Sequence, residues 1–294
     1  MLPGLALDNI TIDEISGFFN HKAEVHVLRL DKISPVISGN KWFKLRYYIE
    51  EAKTLQKNGI RTFGGAWSNH IVATAAACAA AGLQSIGIIR GEQPRQLSST
   101  LKQALDFGMR LDFISRTDYR DKRITVKPDD NFLTVFEGGY GPNGAKGAAT
   151  ILDHCKSDYN HYCCAMGTGT MLAGIICKLL PSQQAIGISV LKNNYALQDS
   201  VKQLISGYPH KNWQIIHDYA WGGYAKSDPA LLSFMNDFYL QTNIPSDFVY
   251  TGKLFYAIND LLQKNYFPSG SKILVIHSGG LQGNTSIPAG TLMF

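Results

Sequence analysis

The sequence lacks the cysteine and histidine patterns of disulfide-rich or metal-binding proteins. Its five cysteines are an odd number, form no Cys-x-x-Cys pair and stand at no metal-ligand spacing to a histidine. They are Cys78, Cys155, Cys163, Cys164 and Cys177. This usage is typical of reduced, buried cysteine in a cytoplasmic protein, and it predicts no metal site.

A long hydrophobic run is also missing. The most apolar window, residues 71–83, consists largely of alanine and is too short to span a bilayer. Residues 1–4 hold no basic region followed by an apolar one, so no signal peptide is predicted. We therefore expect a cytoplasmic protein without a membrane partner.

Charge of one sign is not concentrated anywhere in the chain. The 28 basic and 23 acidic side chains give a formal charge of +5, and the basic residues are scattered. This distribution predicts no nucleic-acid partner. With 294 residues, of which 45% are hydrophobic and 17% charged, the composition is typical of a globular protein of one large or two modest domains.

Three common nucleotide-binding or catalytic motifs are absent. A dinucleotide fingerprint would need a third glycine where Leu172 stands and an acidic residue within 188–191, and neither is present. A nucleotide-triphosphate loop would need Gly-Lys-Ser/Thr, and a serine hydrolase would need Gly-x-Ser-x-Gly. These absences disfavour NAD, nucleoside triphosphates and serine-hydrolase chemistry.

What the sequence does contain is an alternation of strand and helix patterns. Strands are predicted at 25–30, 60–63, 85–89, 109–114, 162–166, 185–191, 213–218 and 272–277. Helices are predicted at 42–57, 71–81, 97–107, 171–180, 196–206, 229–240 and 252–264. The strands are short and apolar on both faces, as in parallel sheets covered by helices. We predict an α/β protein with two sheets, divided near the glycine-rich run 137–147, which is a hinge or a long turn.

A lysine suited to catalysis stands in residues 38–45, Ser-Gly-Asn-Lys-Trp-Phe-Lys-Leu. Lys41 follows a Gly-Asn turn and precedes an amphipathic helix, with Lys44 one turn later. A lysine in a partly dry site can act as an amine rather than as a solvated charge. The alternative is a surface lysine after an ordinary turn.

Two further segments stand where a strand leads into a helix, the usual place for a ligand in parallel sheets. Gly167-Thr168-Gly169-Thr170 offers backbone N–H groups, hydroxyls and a helix dipole to a phosphate, or it is only a tight turn. Ser68-Asn69-His70 is either a helix N-cap or a binding site for a carboxylate.

Two tyrosines complete the candidate set. Tyr250 stands just before a predicted helix, in Val-Tyr-Thr-Gly-Lys at 249–253, and Tyr224 follows a predicted strand. Either ring could stack on a flat cofactor, or could be a core aromatic.

In their order along the chain, these segments resemble the pyridoxal-phosphate enzymes that include 1-aminocyclopropane-1-carboxylate deaminase and D-cysteine desulfhydrase. Five motifs at compatible spacings, spread over nearly the whole chain, carry the resemblance: 38–45, 68–70, 167–170, 249–253 and 276–280. It implies the tryptophan synthase β-like fold, with two three-layer α/β domains around pyridoxal 5'-phosphate. The larger domain would comprise 1–42 and 147–294, and the smaller 43–146. A small amino-acid substrate and a homodimer are also implied.

The resemblance also implies a role for each matching residue. Lys41 would be the Schiff-base lysine and Lys44 a phosphate partner, with Gly167, Thr168, Gly169 and Thr170 as the phosphate cradle. Asn69 would bond the ring hydroxyl, Ser278 would contact the pyridine nitrogen and Tyr250 would face the ring. The substrate would meet Ser68, Asn69, His70, Tyr224 and Thr251. The expected catalytic residues are Lys41, Ser68, Tyr224 and Tyr250.

The chain departs from the family pattern at two of these positions. Thr251 stands where the deaminases have a glutamate that supports a protonated pyridine, and His70 stands where the family usually has glutamine. A hydroxyl partner at the pyridine nitrogen makes the cofactor ring a weaker electron sink than a carboxyl partner does. A weaker sink is enough for β-elimination of a good leaving group, whereas opening a cyclopropane needs a stronger one. We therefore expect a D-cysteine desulfhydrase-like β-elimination. The alternatives are 1-aminocyclopropane-1-carboxylate deamination and a cofactor-binding protein without useful catalysis.

Overall fold

The computed structural model describes residues 4–19, 21–120, 131–155, 158–208 and 212–294, which form two β-sheets and the helices that pack on them. The strands are β1 (Ile12–Glu14), β2 (Glu24–Arg29), β3 (Gly59–Gly64), β4 (Gln84–Arg90), β5 (Arg110–Ile114), β6 (Phe132–Val135), β7 (His161–Met166), β8 (Gln184–Ser189), β9 (Asn212–Ile216) and β10 (Lys272–His277). The helices are α1 (Asn40–Thr54), α2 (Asn69–Ala81), α3 (Ser99–Asp106), α4 (Arg116–Arg120), α5 (Pro142–Ala149), α6 (Thr170–Lys178), α7 (Leu197–Leu204), α8 (Pro229–Thr242) and α9 (Thr251–Gln263).

The larger sheet has six strands in the order β1-β2-β10-β7-β8-β9, and the smaller has four in the order β5-β4-β3-β6. Neighbouring strands are parallel throughout, except that β1 runs antiparallel to β2. This arrangement confirms the predicted α/β class with mostly parallel sheets. The smaller sheet comes from one continuous stretch, residues 59–135, inserted between strands of the larger one. The domain limits at 42, 43, 146 and 147 stay a prediction.

Both faces of the larger sheet are covered, as the apolar strands predict. One hydrophobic core lies between each face of the sheet and the helices that cover it. Along β10, Leu274 and Ile276 pack in the core that includes residues of α6, whereas Ile273 and Val275 pack in the core that includes residues of α9. Successive side chains of a strand point to opposite faces, so one short strand supplies both cores. Among the described residues, no helix combines the length and the apolar character needed to cross a membrane.

The helix α2 shows how the local sequence fixes both ends of an element. The Ser68 side chain accepts a hydrogen bond from the Ile71 N–H at its start, and Gly82 ends it in the left-handed conformation with φ +71. Most of its residues are buried, because alanine and other small or apolar side chains occupy all of its faces. The helix therefore points its N-terminal amides at a fixed place beyond β3.

The expectation of a hinge or long turn at 137–147 is wrong for the second half of that run. A short 3-10 turn at Glu137–Gly139 is followed by the helix α5. A Cβ at Gly147 would overlap the Phe43 carbonyl oxygen of α1, and one at Gly174 of α6 would meet the backbone of α5. These glycines let three helices pack at close range, so their role here is contact rather than flexibility.

The helix α1 also begins earlier than predicted, at Asn40 rather than at Trp42. Lys41 is therefore inside the first helical turn and not in the loop that precedes it. Gly39 makes this start possible, since its φ of +59 turns the chain sharply into the helix.

Candidate active site

A cleft opens where the residues after β7 and β10 meet the beginnings of α1 and α2. It lies at the carboxyl ends of parallel strands, where α/β proteins place their ligands. Of the predicted site residues it brings together Lys41, Lys44, Asn69, Gly167, Thr168, Gly169, Tyr250 and Ser278.

The amine of Lys41 is part of this cleft. Its Nζ donates a hydrogen bond to Asn40 Oδ1 at 3.0 Å and lies 5.9 Å from the centre of the Tyr250 ring. Burial lowers the pKa of Lys41 to about 8, although the buried carboxylate of Asp247 opposes this shift. About a tenth of the amine is therefore neutral and nucleophilic at pH 7, far more than for a solvated lysine.

The backbone before Lys41 is held against the end of β10. The Asn40 N–H donates to the Ser278 carbonyl oxygen at 3.2 Å, and a Cβ at Gly39 would overlap that oxygen. On the other side, a Cβ at Gly279 would overlap the Ser38 hydroxyl. Two glycines thus allow the loops to touch, and the contact fixes Lys41 relative to Ser278.

The run 167–170 forms the turn between β7 and α6. Gly169 precedes α6 with φ +82, and the Thr168 and Thr170 hydroxyls bond each other at 2.9 Å. Gly138 approaches from the far side, where a Cβ would meet the Thr168 side chain. Because the first amides of a helix have no partner within it, this turn presents donors and a positive dipole end to an anion.

Lys44 lies one turn beyond Lys41 and is buried. Burial, and then the charge of Lys41, lower the pKa of Lys44 well below its ordinary value. An anion in the cleft between Lys44 and the 167–170 turn would remove this penalty by pairing with the ammonium group.

Asn69 reaches the cleft from the start of α2. Its Nδ2 donates to the Gly280 carbonyl oxygen at 3.3 Å, whereas its buried Oδ1 has no hydrogen-bond partner among the described residues. A buried acceptor without a partner is costly, so this oxygen is prepared for a ligand that carries a hydroxyl or N–H donor.

Tyr250 lines the cleft and contacts Tyr224 edge to face, with their ring centres 6.0 Å apart. Tyr224 is 39% exposed and lines a neighbouring cavity that also touches Asn69 and Tyr250. Burial and the neighbouring Tyr224 hydroxyl raise the pKa of Tyr250 well above its ordinary value. Both hydroxyls therefore keep their protons at neutral pH and can donate them.

Five predicted site residues do not line the cleft: Ser68, His70, Thr170, Tyr224 and Thr251. Ser68 caps α2 by accepting from Ile71 N–H, which leaves its hydroxyl proton for another acceptor. Thr170 is fully buried and reaches the site only through Thr168. Neither observation tests the roles predicted for these residues.

His70 is buried and held by Thr62. Because the Thr62 hydroxyl donates to the Val135 carbonyl oxygen at 2.8 Å, it can only accept from His70 Nε2, also at 2.8 Å. The imidazole is thus the Nε2–H tautomer, and burial with the charges of Lys41 and Lys44 lowers its pKa well below the ordinary value. His70 is neutral at physiological pH, so it cannot supply a positive charge to a substrate.

The Thr251 hydroxyl is committed to Asp247, to whose Oδ1 it donates at 2.8 Å. The carboxylate of Asp247 also accepts the backbone N–H groups of Val249, Tyr250 and Thr251, and it is fully buried. This ring of hydrogen bonds shapes the start of α9 and aims Tyr250 into the cleft. Ser278 lines the cleft, whereas Thr251 does not.

Sequence reasoning missed several residues that line the cleft or support it from behind: Asn40, Gly138, Asp247, Lys253 and Gln282. Asn40, Gly138 and Gln282 line the cleft. A signal for Asp247 was present, since an aspartate just ahead of a predicted helix commonly bonds the first helical amides.

Lys253 is a fully buried cation behind the site. Its Nζ donates to the carbonyl oxygens of Ala220 at 2.9 Å and Gly223 at 2.8 Å, and burial lowers its pKa to about 8. These bonds hold the segment that carries Tyr224 beside Tyr250. Lys253 therefore positions Tyr224 without touching the cleft.

We expect Lys253→Met to lower the free energy of unfolding by about 1–3 kcal/mol, because two carbonyl oxygens lose their donor. Urea denaturation measures this change, and amide exchange at 219–224 should quicken. The matched control is Lys264→Met, which removes an exposed lysine just beyond the end of α9 and should change little. Equal small effects of the two substitutions would contradict the positioning role.

Within the described ranges, no group of three or more histidine, cysteine, aspartate or glutamate side chains is arranged to hold a metal ion. The five cysteines are all free, and Cys78, Cys163 and Cys164 are buried.

Comparison with known proteins matches residues 11–279 to the family model described as pyridoxal-phosphate dependent enzyme. The chain is 27% identical to the bifunctional D-cysteine desulfhydrase/1-aminocyclopropane-1-carboxylate deaminase, mitochondrial, of Arabidopsis thaliana, covering 88% of this chain and 73% of the relative. It is 25% identical to the D-cysteine desulfhydrase of Salmonella paratyphi A, covering 87% of each.

The crystal structure of a 1-aminocyclopropane-1-carboxylate deaminase homologue has the same fold. It superimposes with a TM-score of 0.80 at 23% identity, covering 96% of this chain and 93% of the other. A cystathionine β-synthase of Helicobacter pylori that depends on O-acetylserine superimposes with a TM-score of 0.71 at 13% identity, covering 98% and 97%. The likeness confirms the tryptophan synthase β-like fold.

Proposed function

Because the chain belongs to the family of pyridoxal-phosphate dependent enzymes, we propose that it eliminates the β-substituent of a small amino acid, releasing a 2-oxo acid and ammonia. D-Cysteine is the substrate we favour, and its products with water would be pyruvate, ammonia and sulfide. The observation that carries the proposal is the half-buried Lys41 side chain, with its pKa of about 8, in one cleft with the 167–170 turn.

The residues of the cleft fit pyridoxal phosphate at three separate points. The 167–170 turn and Lys44 would hold the phosphate, because they offer helix amides and a buried lysine side chain that an anion would favour in its charged form. The orphaned Asn69 Oδ1 would accept from a donor on the ring substituents. The Tyr250 ring would pack against the flat cofactor near Lys41.

Ser278 would face the ring nitrogen of the cofactor. The chemical nature of this partner determines which reaction is favoured. No carboxylate stands among the described residues that line the cleft, and the nearby Asp247 is already engaged by four donors. When bound, the cofactor delocalises the electrons left on the substrate α-carbon, less strongly beside a hydroxyl than beside an acid. A good leaving group at the β-carbon tolerates this weaker sink, whereas an unactivated cyclopropane does not.

The protein's own groups would then divide the proton transfers. The Lys41 amine would take the α-proton at Nζ, since a pKa of about 8 suits a base at neutral pH. The Tyr224 or Tyr250 hydroxyl would protonate the departing sulfur. Ser68 and the first amides of α2 would hold the substrate carboxylate.

The proposal is tested by offering the cofactor-loaded protein D-cysteine and 1-aminocyclopropane-1-carboxylate separately and identifying the 2-oxo acid. Pyruvate from D-cysteine alone would support it. 2-Oxobutyrate from the cyclopropane would instead support the deaminase alternative, which the name of the Arabidopsis relative keeps open. Bound cofactor without any 2-oxo acid would favour a non-catalytic binding protein, for which the departures at His70 and Thr251 are the argument.

The pH dependence of cofactor attachment tests the state of Lys41. Because only the neutral amine attacks an aldehyde, attachment to the apoprotein should speed up about tenfold per pH unit up to about pH 8 and then level off. A solvated lysine would keep accelerating toward its ordinary pKa of 10.5. Stopped-flow absorbance measures the rate, and the same series with a free alkylamine corrects for titration of the cofactor itself. A profile without a break near pH 8 would count against a buried Lys41 amine.

We further propose a homodimer, as the family resemblance implies, and a location in the cytoplasm, as the cysteine usage indicates. Light scattering should give twice the chain mass of 32.4 kDa. A mass of 32.4 kDa, or a tagged chain found outside the cytoplasm, would refute the corresponding part.

A further inference from the structure

A second cavity, of about 600 Å³, adjoins the cleft and shares Asn69 and Tyr250 with it. Lys41 is not among its lining residues, and its other walls come from Trp67 before α2, from α8 and from residues 224–227, 248–249 and 283–291. The volume exceeds what a three-carbon amino acid needs, since it would hold about 20 water molecules at roughly 30 Å³ each. Tyr224 and Tyr250 both line this cavity, so it lies beside the place where a substrate would meet their hydroxyls.

The walls of this cavity are mainly apolar. Leu232 of α8, Phe248, Val249 and Ile287 supply carbon surface, and Trp67 stands at the mouth with 45% of its surface exposed. None of the described residues that line the cavity carries a formal charge, and its polar atoms are hydroxyl, amide and backbone groups. A charged side chain would lose its hydration here without gaining a partner, whereas an apolar one would gain by leaving water.

Resting on the function proposed above, we infer that the second cavity takes an apolar group attached through sulfur to the substrate's β-carbon. The substrate class is thus the S-alkyl or S-arylmethyl cysteines, with cysteine as a poor minimal member. The α-proton is removed, the Cβ–S bond breaks with its electron pair on sulfur, and sulfur receives a proton. Water then hydrolyses the carbon–nitrogen bond of the remaining three-carbon fragment. The products are the thiol RSH, in which R is the apolar group, together with pyruvate and ammonia, and no oxidant is needed.

Binding is measured first, with amino acids that carry no leaving group. D-Norleucine and D-alanine, and both L-enantiomers, are titrated against the cofactor-loaded protein while the absorbance of the bound cofactor is followed. Each methylene buried in an apolar site favours binding about fourfold, so we expect norleucine of the accepted enantiomer to bind at least tenfold more tightly than alanine. Equal affinities would overturn the inference whether or not any substrate is turned over.

Turnover is measured second, as the ratio of kcat/KM for S-benzylcysteine to kcat/KM for cysteine, from pyruvate release. We expect a ratio above ten in the unchanged protein and at least a tenfold smaller ratio in Leu232→Trp, which fills the cavity. The matched control is Leu240→Trp in the same helix, where Leu240 is 64% exposed, and it should keep the original ratio. Cysteine turned over with a ratio near one in every variant would reject the apolar substrate class and leave the proposed function standing.

The two experiments separate the two possible failures. If norleucine binds more tightly than alanine but no amino acid yields a 2-oxo acid, the elimination is wrong and the apolar site is right. If pyruvate forms while the affinities of alanine and norleucine are equal, the elimination is right and the apolar site is wrong.

Discussion

Replacing Lys41 by alanine is expected to abolish covalent attachment of pyridoxal phosphate and to lower 2-oxo acid release by at least about 10³-fold. Lys41 is the lysine whose amine lines the cleft near Tyr250 with a pKa of about 8, and the proposed function gives it both the bond to the cofactor and the α-proton. Lys44 lies one turn away, but its position suits the phosphate. Borohydride reduction followed by peptide mass spectrometry locates the modified lysine, and a coupled assay follows turnover.

The control for this experiment is Lys53→Ala, which removes an exposed lysine from the same helix. It should leave both attachment and turnover unchanged, because Lys53 lies far along α1 from the cleft. Attachment at Lys44 in the Lys41→Ala protein, with turnover reduced less than tenfold, would show that the wrong amine has been assigned.

The prediction of Lys41 from sequence depended on its neighbours in three dimensions, and this explains both its success and its limits. A Gly-Asn-Lys turn is ordinary, and only the order of five motifs made the lysine stand out. The start of α1 was misplaced by two residues because Gly39 adopts φ +59 against the Ser278 carbonyl oxygen. That contact joins residues far apart in the sequence, so no local pattern could reveal it.

The strands β1 and β6 were missed for a different reason. Each spans only three or four residues at an edge of its sheet, and their burial is partial. Edge strands bury less apolar surface than central ones, so their hydrophobic pattern is weak. The central strands β3, β7 and β10 were found because most of their residues are buried, so their hydrophobic pattern is strong.

The second cavity and the hydrogen bonds of Asp247 could not be predicted from the sequence. Leu232, Val249 and Ile287 look like ordinary core positions, and only the fold brings them to a common wall beside Tyr250. Thr251 was expected to meet the substrate because its position matches a motif of the family. A helical turn points successive side chains in different directions, so Tyr250 faces the cleft and Thr251 faces Asp247.

Gly39→Ala should destabilise the protein by about 3 kcal/mol and displace Lys41 from the cleft. Two penalties combine at this position. An alanine would be forced into φ +59, and its Cβ would overlap the carbonyl oxygen of Ser278, which cannot move without disturbing the end of β10. Urea denaturation measures the stability, and the yield of covalently attached cofactor after borohydride reduction reports the position of Lys41.

Two other glycines separate these penalties. Gly82 ends α2 at φ +71, and no atom of the described residues lies within 4 Å of the position that a Cβ would take, so Gly82→Ala should cost only the backbone strain, about 1 kcal/mol. Gly17 has neither a positive φ nor a described neighbour at that distance, and Gly17→Ala should stay within about 0.5 kcal/mol of the unchanged protein. If Gly39→Ala cost no more than Gly82→Ala and kept its full yield of attached cofactor, the contact with Ser278 would not be what fixes Lys41. The expected order, Gly39 above Gly82 above Gly17, follows because overlap with a backbone oxygen can be relieved only by moving the loops that place Lys41 opposite Ser278.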